Sequence, residues 1–543
     1  MTDIDRPLGG AQRLSRITCI GIAVFALLVW ALLARRFFAY TIDDAYIYFR
    51  YATNLAHGFG LVFNRGERPE EGITSLLYAV ILAVAVRWDV DLTAFAKGVG
   101  LAASVLTSVC IGATSVRLLR RYTALRERHV WLTATLGGAF FLTNPYVVAN
   151  AVSGLETTMA ALAFSLFVYL AAVHLTGESK KSAAVVIAFA GAAALVPMLR
   201  PEMGLSVVLI LGLHAIAGGD IGRFARRVLL FFMLTAAAYI ALRFLYYGLP
   251  APLPFYIKQA VGALPGLTDV RHYATHESVP LASALMAIAI TARRTTSKVP
   301  IRPLLSLGTP AIAQLLYLSS IQHIMGYADR FFVPVTTLVI ALASLAGGLL
   351  WELAQGRSRR AAIRVAPFVI WVTLIVVGNA SAYRPVYDSV IGWYSDGSDR
   401  FTAFGIALRE AANGQPLRIA LNDCGAIPYY SDLPTLDLGG LNNRAIALDG
   451  STAIVTTQLR AFRPQIVMLA GAREHDPSSI RGWERLDHDD MGRLKYSLAG
   501  TFTAGRMPDG RGYHLLTYTD GSELAFAVIA RLRATGLLKV PSG

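Results

Sequence analysis

Two adjacent carboxylates, Asp43 and Asp44, follow the first apolar segment of the chain, in a stretch (41–50) that reads TIDDAYIYFR. A charged side chain at the edge of a bilayer is costly, and it is usually retained for chemistry, for ion handling or for an ion pair. An Asp at the start of a helix can also serve only as a cap, because the helix macrodipole favours the ionised form there. The second carboxylate and the glycine-rich segment 58–66 favour a chemical role, such as that of a general base.

The composition of the chain places these carboxylates beside a membrane. Of the 543 residues, 55% are hydrophobic and 16% are charged, whereas soluble domains carry about 25% charged residues; mean hydropathy is +0.50. Apolar runs long enough to span a bilayer recur from Ile17 to about Ser381, and an ordinary globular composition follows. We therefore predict a polytopic α-helical membrane domain over residues 1–382, with a first outer loop at about 39–72, and an extracytoplasmic α/β domain over 383–543.

Eleven segments are predicted to cross the membrane, and they are 17–38, 93–117, 129–150, 155–175, 182–199, 203–217, 227–247, 278–292, 301–320, 330–352 and 362–381. Lys and Arg cluster in short loops such as 117–128, 223–227 and 357–364, and such loops mark the cytoplasmic side. The N-terminus then lies in the cytoplasm and the C-terminal domain outside, in a multi-pass protein of the plasma (inner) membrane. The apolar segment 73–88 is short for a crossing, and we predict a re-entrant or partly inserted helix there.

The net charge of +15 is explained by these loops. The sequence has no basic stripe with interleaved aromatic residues, so we predict no nucleic-acid partner. Only one of the three cysteines, Cys424, falls in the predicted outer domain, and therefore no disulfide framework is available. The expected partner from composition is the lipid bilayer.

The segment 45–57 is predicted to form a helix that lies along the outer surface. At helical spacing one side of it is mostly polar, and that side carries Asp43, Ile47, Arg50, Asn54 and His57. Another side, with Tyr48, Tyr51 and Leu55, suits the membrane interface. We therefore expect the polar side, with Asp43, to face a polar cavity.

Most other polar residues of the membrane domain fall on the same outer side. They include Glu156 at the start of a span, Arg200 and Glu202 between two spans, Lys258 and Arg330. Basic residues at such positions can simply extend to lipid phosphates, and each acidic residue can simply pair with an arginine. The outer face is nevertheless the predicted functional face.

The outer domain shows a strand pattern. Short apolar runs at 417–421 and 465–469, bounded by turns, predict buried strands, and the segment 422–425 (NDCG) follows the first as a strand-to-helix loop. We predict that this domain is a structural or acceptor-guiding cap, with catalysis in the membrane-proximal loop.

A series of short motifs resembles the GT-C glycosyltransferases. The segments 43–51 (DDAYIYFRY), 58–64 (GFGLVFN) and 66–68 (GER) resemble the first outer loop of that superfamily. Further matches follow in order, and they are SGLET (153–157), RPE (200–202), YYG (246–248) leading to YIK (256–258), GY (326–327) leading to RFFVP (330–334), and NDCGAIPYY (422–430). The resemblance points to the mycobacterial terminal arabinofuranosyltransferases and their bacterial relatives.

This resemblance implies transfer of a sugar from a polyprenyl-phosphate donor, such as decaprenyl-phosphoryl arabinose, to a glycan or protein acceptor of the cell envelope. It implies that Asp43 is the general base and that Asp44 supports it. Basic residues would stabilise the departing phosphate. The predicted donor-binding residues are Tyr46, Arg50, Glu156, Arg200, Glu202, Lys258 and Arg330. The chain lacks the Gly-Gly-Asp that the family pattern has before Arg330, so the resemblance does not identify the donor sugar.

No cofactor is predicted. Four histidines are placed outside, at positions 57, 272, 276 and 323, and we assign none of them as a ligand. No metal site is therefore predicted, although a divalent cation, which some GT-C enzymes use, is left open.

A polytopic transporter or flippase for a lipid-linked or polar substrate is the alternative function. Buried Arg and Glu residues can line a substrate path, but transporters often show corresponding halves with broken helices, which we do not find in this sequence. An O-antigen polymerase or ligase would also act outside, but it gives no reason for an Asp pair at 43–44. The glycosyltransferase is therefore the favoured hypothesis.

Overall fold

The structure is a computed structural model that describes residues 10–175, 182–257, 264–294, 301–355, 361–473, 486–506 and 512–540. Lys258, one of the predicted donor contacts, lies outside the described residues.

The chain is predominantly helical up to residue 412. The helices described there are α1 (Gly10–Phe37), α2 (Asp43–Ala56), α3 (Leu76–Arg87), α4 (Leu92–Tyr122), α5 (Glu127–Leu142), α6 (Pro145–Ala151), α7 (Thr157–His174), α8 (Ala183–Leu199), α9 (Gly204–Ala215), α10 (Gly219–Tyr247), α11 (Leu253–Ile257), α12 (Leu267–His276), α13 (Ser278–Arg293), α14 (Arg302–Ser319), α15 (Val333–Gln355) and α16 (Ala361–Ala412). Two 3₁₀ helices, Pro201–Met203 and Tyr327–Asp329, precede α9 and α15. Helical structure covers each of the eleven predicted spans.

Six of the described helices are long and apolar enough to cross a membrane. They are α1, α4, α7, α10, α15 and the 365–391 part of α16. The helices over the remaining predicted spans are 12 to 18 residues long. The polytopic helical membrane domain is therefore confirmed, and the number of eleven crossings stays a prediction.

Two segments show how local sequence sets the helix ends. The predicted span 129–150 is broken between α5 and α6, where the Asn144 side chain caps α6 by accepting from the Tyr146 amide at 3.0 Å. Pro145 stands at the first position of α6, where its missing N–H is tolerated.

The segment 73–88 contains only the 12 residues of α3, about 18 Å of helix. That is shorter than the hydrocarbon core of about 30 Å, as expected for a partly inserted helix.

The membrane domain and the outer domain share a single helix. Helix α16 has 52 residues, about 78 Å at 1.5 Å per residue, so the predicted domain boundary at 382/383 lies inside it. Its first half packs in the membrane domain, where the Trp371 indole donates to Ser283 Oγ at 3.0 Å. Its second half packs in the outer domain, where the rings of Phe404 and Phe502 are 4.5 Å apart.

The outer domain is α/β, as predicted. Its strands are β1 (Ile419–Leu421), β2 (Thr435–Asp437), β3 (Ile466–Gly471), β4 (Ser497–Arg506) and β5 (Gly512–Thr519), and its helices are α17 (Ala426–Ser431), α18 (Arg444–Leu448), α19 (Thr452–Phe462), α20 (His488–Arg493) and α21 (Glu523–Ala534). The sheet order is β2-β1-β3-β5-β4, with β1 parallel to β2 and β3, and β5 antiparallel to β3 and β4. Strands β1 to β3 are buried along their whole length, which accounts for the continuous apolar runs of β1 and β3.

Candidate active site

A cavity of about 360 Å³ opens between α2, the segment 72–74 and the ends of several membrane helices. Its polar and charged lining includes Asp44, Tyr48, Glu156, Arg200, Glu202 and Arg330, and its apolar lining includes Ile321, Ile324 and Phe255. Leu441 of the outer domain also contacts it. Most concave ligand sites have this character, an apolar wall with a few convergent polar groups.

Asp44 lies on the cavity side of α2. Asp44, Ile47 and Tyr48 are spaced at i, i+3 and i+4, so their side chains share one helix face, and all three line the cavity. The Asp44 carboxylate accepts a charge-assisted hydrogen bond from Arg330 Nη2 at 2.8 Å. Arg330 follows the 3₁₀ helix Tyr327–Asp329, so that segment holds the guanidinium against the start of α2.

A second charged group faces the same cavity. Arg200 Nε is 3.2 Å from Glu156 Oε1, and Arg200 Nη1 is 3.3 Å from Glu202 Oε1. Arg200 stands before Pro201, which holds it in an extended conformation at the end of α8. The ring of Phe331 contacts both guanidinium groups, at 5.3 Å from that of Arg200 and 5.0 Å from that of Arg330, and such cation–π contacts help to fix them in place.

The turn at 153–156 positions Glu156. Gly154 has a φ of 85°, a backbone conformation that favours glycine, and a Cβ there would lie 3.0 Å from Ala45 Cβ on α2. The Ile42 amide donates to the Ser153 carbonyl at 3.0 Å. The turn is therefore packed directly against the start of α2, which brings Glu156 to the cavity.

Three buried polar atoms at this cavity have no hydrogen-bond partner among the described residues. One of them, Arg200 Nε, lies 3.2 Å from Glu156 Oε1 in an ion pair. The other two are Arg330 Nε and Glu156 Oε2, and both of their side chains are more than nine-tenths buried. An unsatisfied buried polar group costs about 1–3 kcal/mol, and native proteins keep such groups mainly where function needs them. Both atoms are thus available to a polar ligand.

Asp43 occupies different surroundings. Its carboxylate is 7% exposed and accepts from the backbone amides of Gly425 at 3.0 Å and Ala426 at 2.9 Å. Burial, and secondarily the charge of nearby Asp423, raises the pKa of Asp43 from 3.8 to about 8. Asp43 therefore joins α2 to the loop before α17 and does not line the cavity, contrary to the expected orientation of the polar side of α2.

Arg50 and Tyr46 are not at the cavity either. Arg50 donates to the carbonyls of Pro428 and Leu433 in the outer domain and to Phe63 O in the first outer loop, and burial lowers its pKa to about 10. Tyr46 packs against the rings of Tyr429 and Tyr430. Neither residue lines the cavity, because both are packed against the outer domain, and their donor-binding roles stay predictions.

Tyr48 is a cavity residue that the sequence analysis assigned to the membrane interface. Its hydroxyl accepts from the amides of Thr74 and Ser75, each at 3.2 Å, and so holds the segment 72–75 beside the cavity. The i+4 spacing from Asp44 was the signal that could have placed Tyr48 there.

One cluster of side chains within the described part of the chain could hold a metal ion. The cavity carboxylates are each close to an arginine, as described above. Among the described residues, the group of three or more potential ligands that comes together is His272, His276 and Asp329, on α12 and the 3₁₀ helix before Arg330.

One protein-family model matches part of the chain. A family model described as a domain of unknown function, DUF8728, matches residues 395–518, which comprise the end of α16 and most of the outer domain. No curated protein matches the chain.

Comparison with solved structures covers nearly the whole chain. ArnT from Cupriavidus metallidurans matches over 93% of this chain and 98% of its own, with a TM-score of 0.56 and 13% identity, and a second structure of it is bound to undecaprenyl phosphate. The oligosaccharyltransferase of Archaeoglobus fulgidus matches over 95% of this chain and 78% of its own, with a TM-score of 0.58 and 12% identity. Another structure, of AglB from the same organism, contains dolichol-phosphate and an inhibitory peptide.

These similarities establish the fold. The chain is a membrane protein with the GT-C fold and a C-terminal sheet domain. At 11–13% identity the likeness concerns the fold alone, and the resemblance to arabinofuranosyltransferases stays a prediction.

Proposed function

We propose that this protein is a membrane glycosyltransferase that moves a sugar from a polyprenyl-phosphate donor to an acceptor on the outer face. The observation that carries the proposal is the single cavity in which Asp44, Arg330 and Arg200 converge beneath the outer domain. It is supported by the fold that the chain shares with proteins whose structures contain undecaprenyl phosphate or dolichol-phosphate.

The residues of the cavity suit the chemistry of this transfer. Asp44 accepts the proton of the acceptor hydroxyl as that oxygen bonds to the anomeric carbon of the donor. The bond from the anomeric carbon to the phosphate oxygen breaks at the same time, and polyprenyl phosphate leaves with the electron pair. Arg330 and Arg200 stabilise the negative charge that develops on that phosphate.

Arg330 would change its hydrogen-bond partner when a donor binds. Arg330 has its Nε without a hydrogen bond among the described residues and its Nη2 on Asp44. A donor phosphate on Arg330 would draw that guanidinium away from Asp44, and the Asp44 carboxylate would then be free to contact the acceptor hydroxyl. Glu156, with one unpartnered carboxylate oxygen, would accept a hydrogen bond from a sugar hydroxyl.

In this proposal Asp44, and not Asp43, is the general base. Asp44 is 21% exposed toward the cavity, whereas both oxygens of Asp43 are used by backbone amides of the outer domain. Asp43 is then a positioning residue, because it fixes the start of α2 and with it the carboxylate of Asp44.

The sugar, the acceptor and the orientation complete the proposal. Arabinofuranose is the first candidate sugar, and a glycan or protein of the cell envelope is the proposed acceptor. The N-terminus would lie in the cytoplasm and the outer domain on the extracytoplasmic side of the plasma membrane, since the basic loops favour that orientation.

The test is transfer by the purified full-length protein in lipid nanodiscs. Radiolabelled polyprenyl-phosphoryl arabinose and related sugars are offered with cell-envelope glycans, and the labelled product is separated from the donor. We expect transfer by the wild type, a loss of about 100- to 10,000-fold in Asp44→Asn, and full activity in Asp388→Asn, whose side chain is exposed and paired with the exposed Arg384.

Two outcomes would contradict the proposal. Equal transfer by wild type and Asp44→Asn would show that Asp44 is not the base. Movement of labelled lipid across the bilayer of proteoliposomes, with no transfer to any acceptor, would favour the flippase.

A further inference from the structure

Three side chains with metal-binding atoms meet beside the proposed active site. His272 and His276 lie on the last turns of α12, and Asp329 ends the 3₁₀ helix that precedes α15. His272 Nδ1 is 3.5 Å from Asp329 Oδ2, and His276 Nε2 contacts the same oxygen. The three ligand atoms lie within 4.8 Å of one another. Ligands bound at about 2.0–2.1 Å around a tetrahedral ion are separated by roughly 3.3 Å, so one ion could contact all three.

The spacing of the two histidines has a simple structural consequence. They are four residues apart, which places both imidazoles on the same face of α12. This H-x-x-x-H spacing is visible in the sequence, although no ligand role was predicted for either histidine. What the sequence could not indicate is that Asp329, more than fifty residues later, reaches the same face.

The backbone at Asp329 is held in an unfavourable conformation. Ala328 and Asp329 have φ values of 49° and 50°, in the left-handed region that residues with a Cβ seldom adopt. Two consecutive residues of this kind store strain of about 1–3 kcal/mol each, and such strain is concentrated at functional sites. Here it turns the Asp329 carboxylate toward α12.

His276 also has the surroundings of a metal ligand. Its other ring nitrogen, Nδ1, is 3.8 Å from Glu277 Oε1, and that buried carboxylate accepts from Asn144 Nδ2 at 2.7 Å. The ring of Tyr146 stacks on the imidazole at 4.1 Å with an interplanar angle of 13°. A carboxylate behind a histidine fixes its orientation and raises its basicity as a ligand. His272, in contrast, is 59% exposed and leaves an open side for a water molecule.

We propose that His272, His276 and Asp329 bind one divalent transition-metal ion of the zinc class, with water in the remaining position. Two imidazoles and one carboxylate are a donor set that suits Zn²⁺ and its neighbours better than the all-oxygen sets of Mg²⁺ and Ca²⁺. Asp329 is followed directly by Arg330, which contacts Asp44. The bound ion fixes the segment 327–330 on α12 and thereby positions Arg330.

The experiment measures metal binding independently of activity. The full-length protein is purified through a tag that contains no histidine, treated with EDTA, and titrated with Zn²⁺ alone and with Co²⁺ alone. We expect one Zn²⁺ per chain, a visible absorption band with Co²⁺, and a higher Tm in the presence of Zn²⁺. His272→Ala should weaken binding by more than about 10-fold, and Glu277→Gln, which alters only the group behind His276, by about 10- to 100-fold.

Matched variants make the result decisive. His272 is exposed, so its loss should leave the fold intact, and an unchanged Tm without metal verifies this. His57→Ala removes another histidine of the same predicted face that does not belong to this group, and it should retain one Zn²⁺ per chain. Absence of stoichiometric binding in the wild type, or equal binding in wild type and in the double variant His272→Ala/His276→Ala, overturns the proposal and leaves a hydrogen-bonded His–Asp group.

Discussion

Asp43 and Asp44 have the same side chain and stand next to each other, yet they contact different parts of the molecule. Successive residues of an α-helix point about 100° apart, so one carboxylate of the pair faces the outer domain and the other faces the cavity. Asp43 accepts hydrogen bonds from two backbone amides of the outer domain, while Asp44 accepts a hydrogen bond from Arg330. The pair therefore joins the cavity to the domain above it.

The first prediction separates the two carboxylates. Asp44→Asn should lower kcat by about 100-fold or more, because it removes the base. Asp43→Asn keeps one carbonyl oxygen for the amides of Gly425 and Ala426, so it should lower kcat by less than about 10-fold and lower the Tm. Steady-state kinetics and thermal unfolding of both variants are the measurements. A large loss of kcat in Asp43→Asn at unchanged Tm would restore the sequence-based choice of Asp43 as the base.

The second prediction concerns the arginine beside Asp44. Lys cannot reproduce the planar, forked donor set of Arg, so Arg330→Lys should not rescue the function lost in Arg330→Gln. We expect both variants to lower kcat by at least about 10-fold with the donor in excess. Arg384→Lys, at a position 90% exposed, is the control and should match the wild type. Wild-type kinetics in Arg330→Lys would indicate that a simple positive charge suffices.

At the scale of elements, α2 and the loop before α17 fit together without room for another atom. A Cβ at Gly425 would lie 2.2 Å from the Asp43 carbonyl oxygen and 2.3 Å from its Cγ, distances at which the backbone must move. The third prediction is that Gly425→Ala destabilises the protein by about 1–3 kcal/mol, lowering the Tm by at least about 2 °C. It should also reduce activity, since α2 carries Asp44.

A second glycine serves as the control for this variant. A Cβ at Gly492 in α20 would have nothing within 4 Å, and Gly→Ala inside a helix is mildly favourable. Gly492→Ala should therefore match or slightly exceed the wild-type Tm. Equal Tm values for Gly425→Ala and Gly492→Ala would mean that α2 and the outer domain are not in close contact.

Elements with a local signal were predictable from the sequence, and contacts between distant elements were not. The strands at 417–421 and 465–469 and helices over the predicted spans follow from apolar runs of the right length. The direction of the polar side of α2 was predicted wrongly, because Arg50 donates to the carbonyls of Pro428 and Leu433, about 380 residues later. Arg200, Glu156 and Arg330 do line the cavity, and their donor-binding roles stay predictions.

At the scale of the whole molecule, the first outer loop forms the contact between the two domains. Asn64 exchanges hydrogen bonds with the backbone of Thr435 in β2, at 2.8 and 3.0 Å, and Glu70 accepts from the Arg444 amide at 2.9 Å. Together with the continuous helix α16, these contacts fix the outer domain over the cavity. The outer domain therefore positions α2.

The fourth prediction tests the orientation of this assembly. Position 128, in the first turn of α5 next to the basic loop that follows α4, should be cytoplasmic, and position 460, on α19 of the outer domain, should be outside; both side chains are exposed. In intact cells an impermeant thiol reagent should label Arg460→Cys and leave Arg128→Cys unlabelled until the membrane is permeabilised. The wild type, whose Cys424 is buried, reports the background. Labelling at position 128 in intact cells would reverse the topology.

The last prediction concerns how pH affects the contact between the domains. Burial raises the pKa of Asp43 to about 8 and that of Asp423 to about 6, and Tyr513 donates a hydrogen bond to Asp423 at 2.6 Å. The folded protein therefore holds protons that the unfolded chain, with ordinary carboxyl pKa values of about 4, releases. The contribution of these protonated carboxyl groups to the free energy of unfolding is fully present below about pH 4. It is lost as the pH rises toward 8, by up to about 1.4 kcal/mol per pH unit for each proton.

The measurement is the Tm between pH 5 and pH 9 in wild type and in Asp43→Asn. The wild-type Tm should fall as the pH rises through this range, and it should fall less steeply in Asp43→Asn, which cannot ionise at that position. Glu70 and Glu71, whose pKa values burial raises to about 7, contribute in the same direction to both proteins, so the difference between the two curves isolates Asp43. Parallel curves would mean that Asp43 does not hold a proton in the folded state, and that its carboxylate meets the Gly425 and Ala426 amides as an anion.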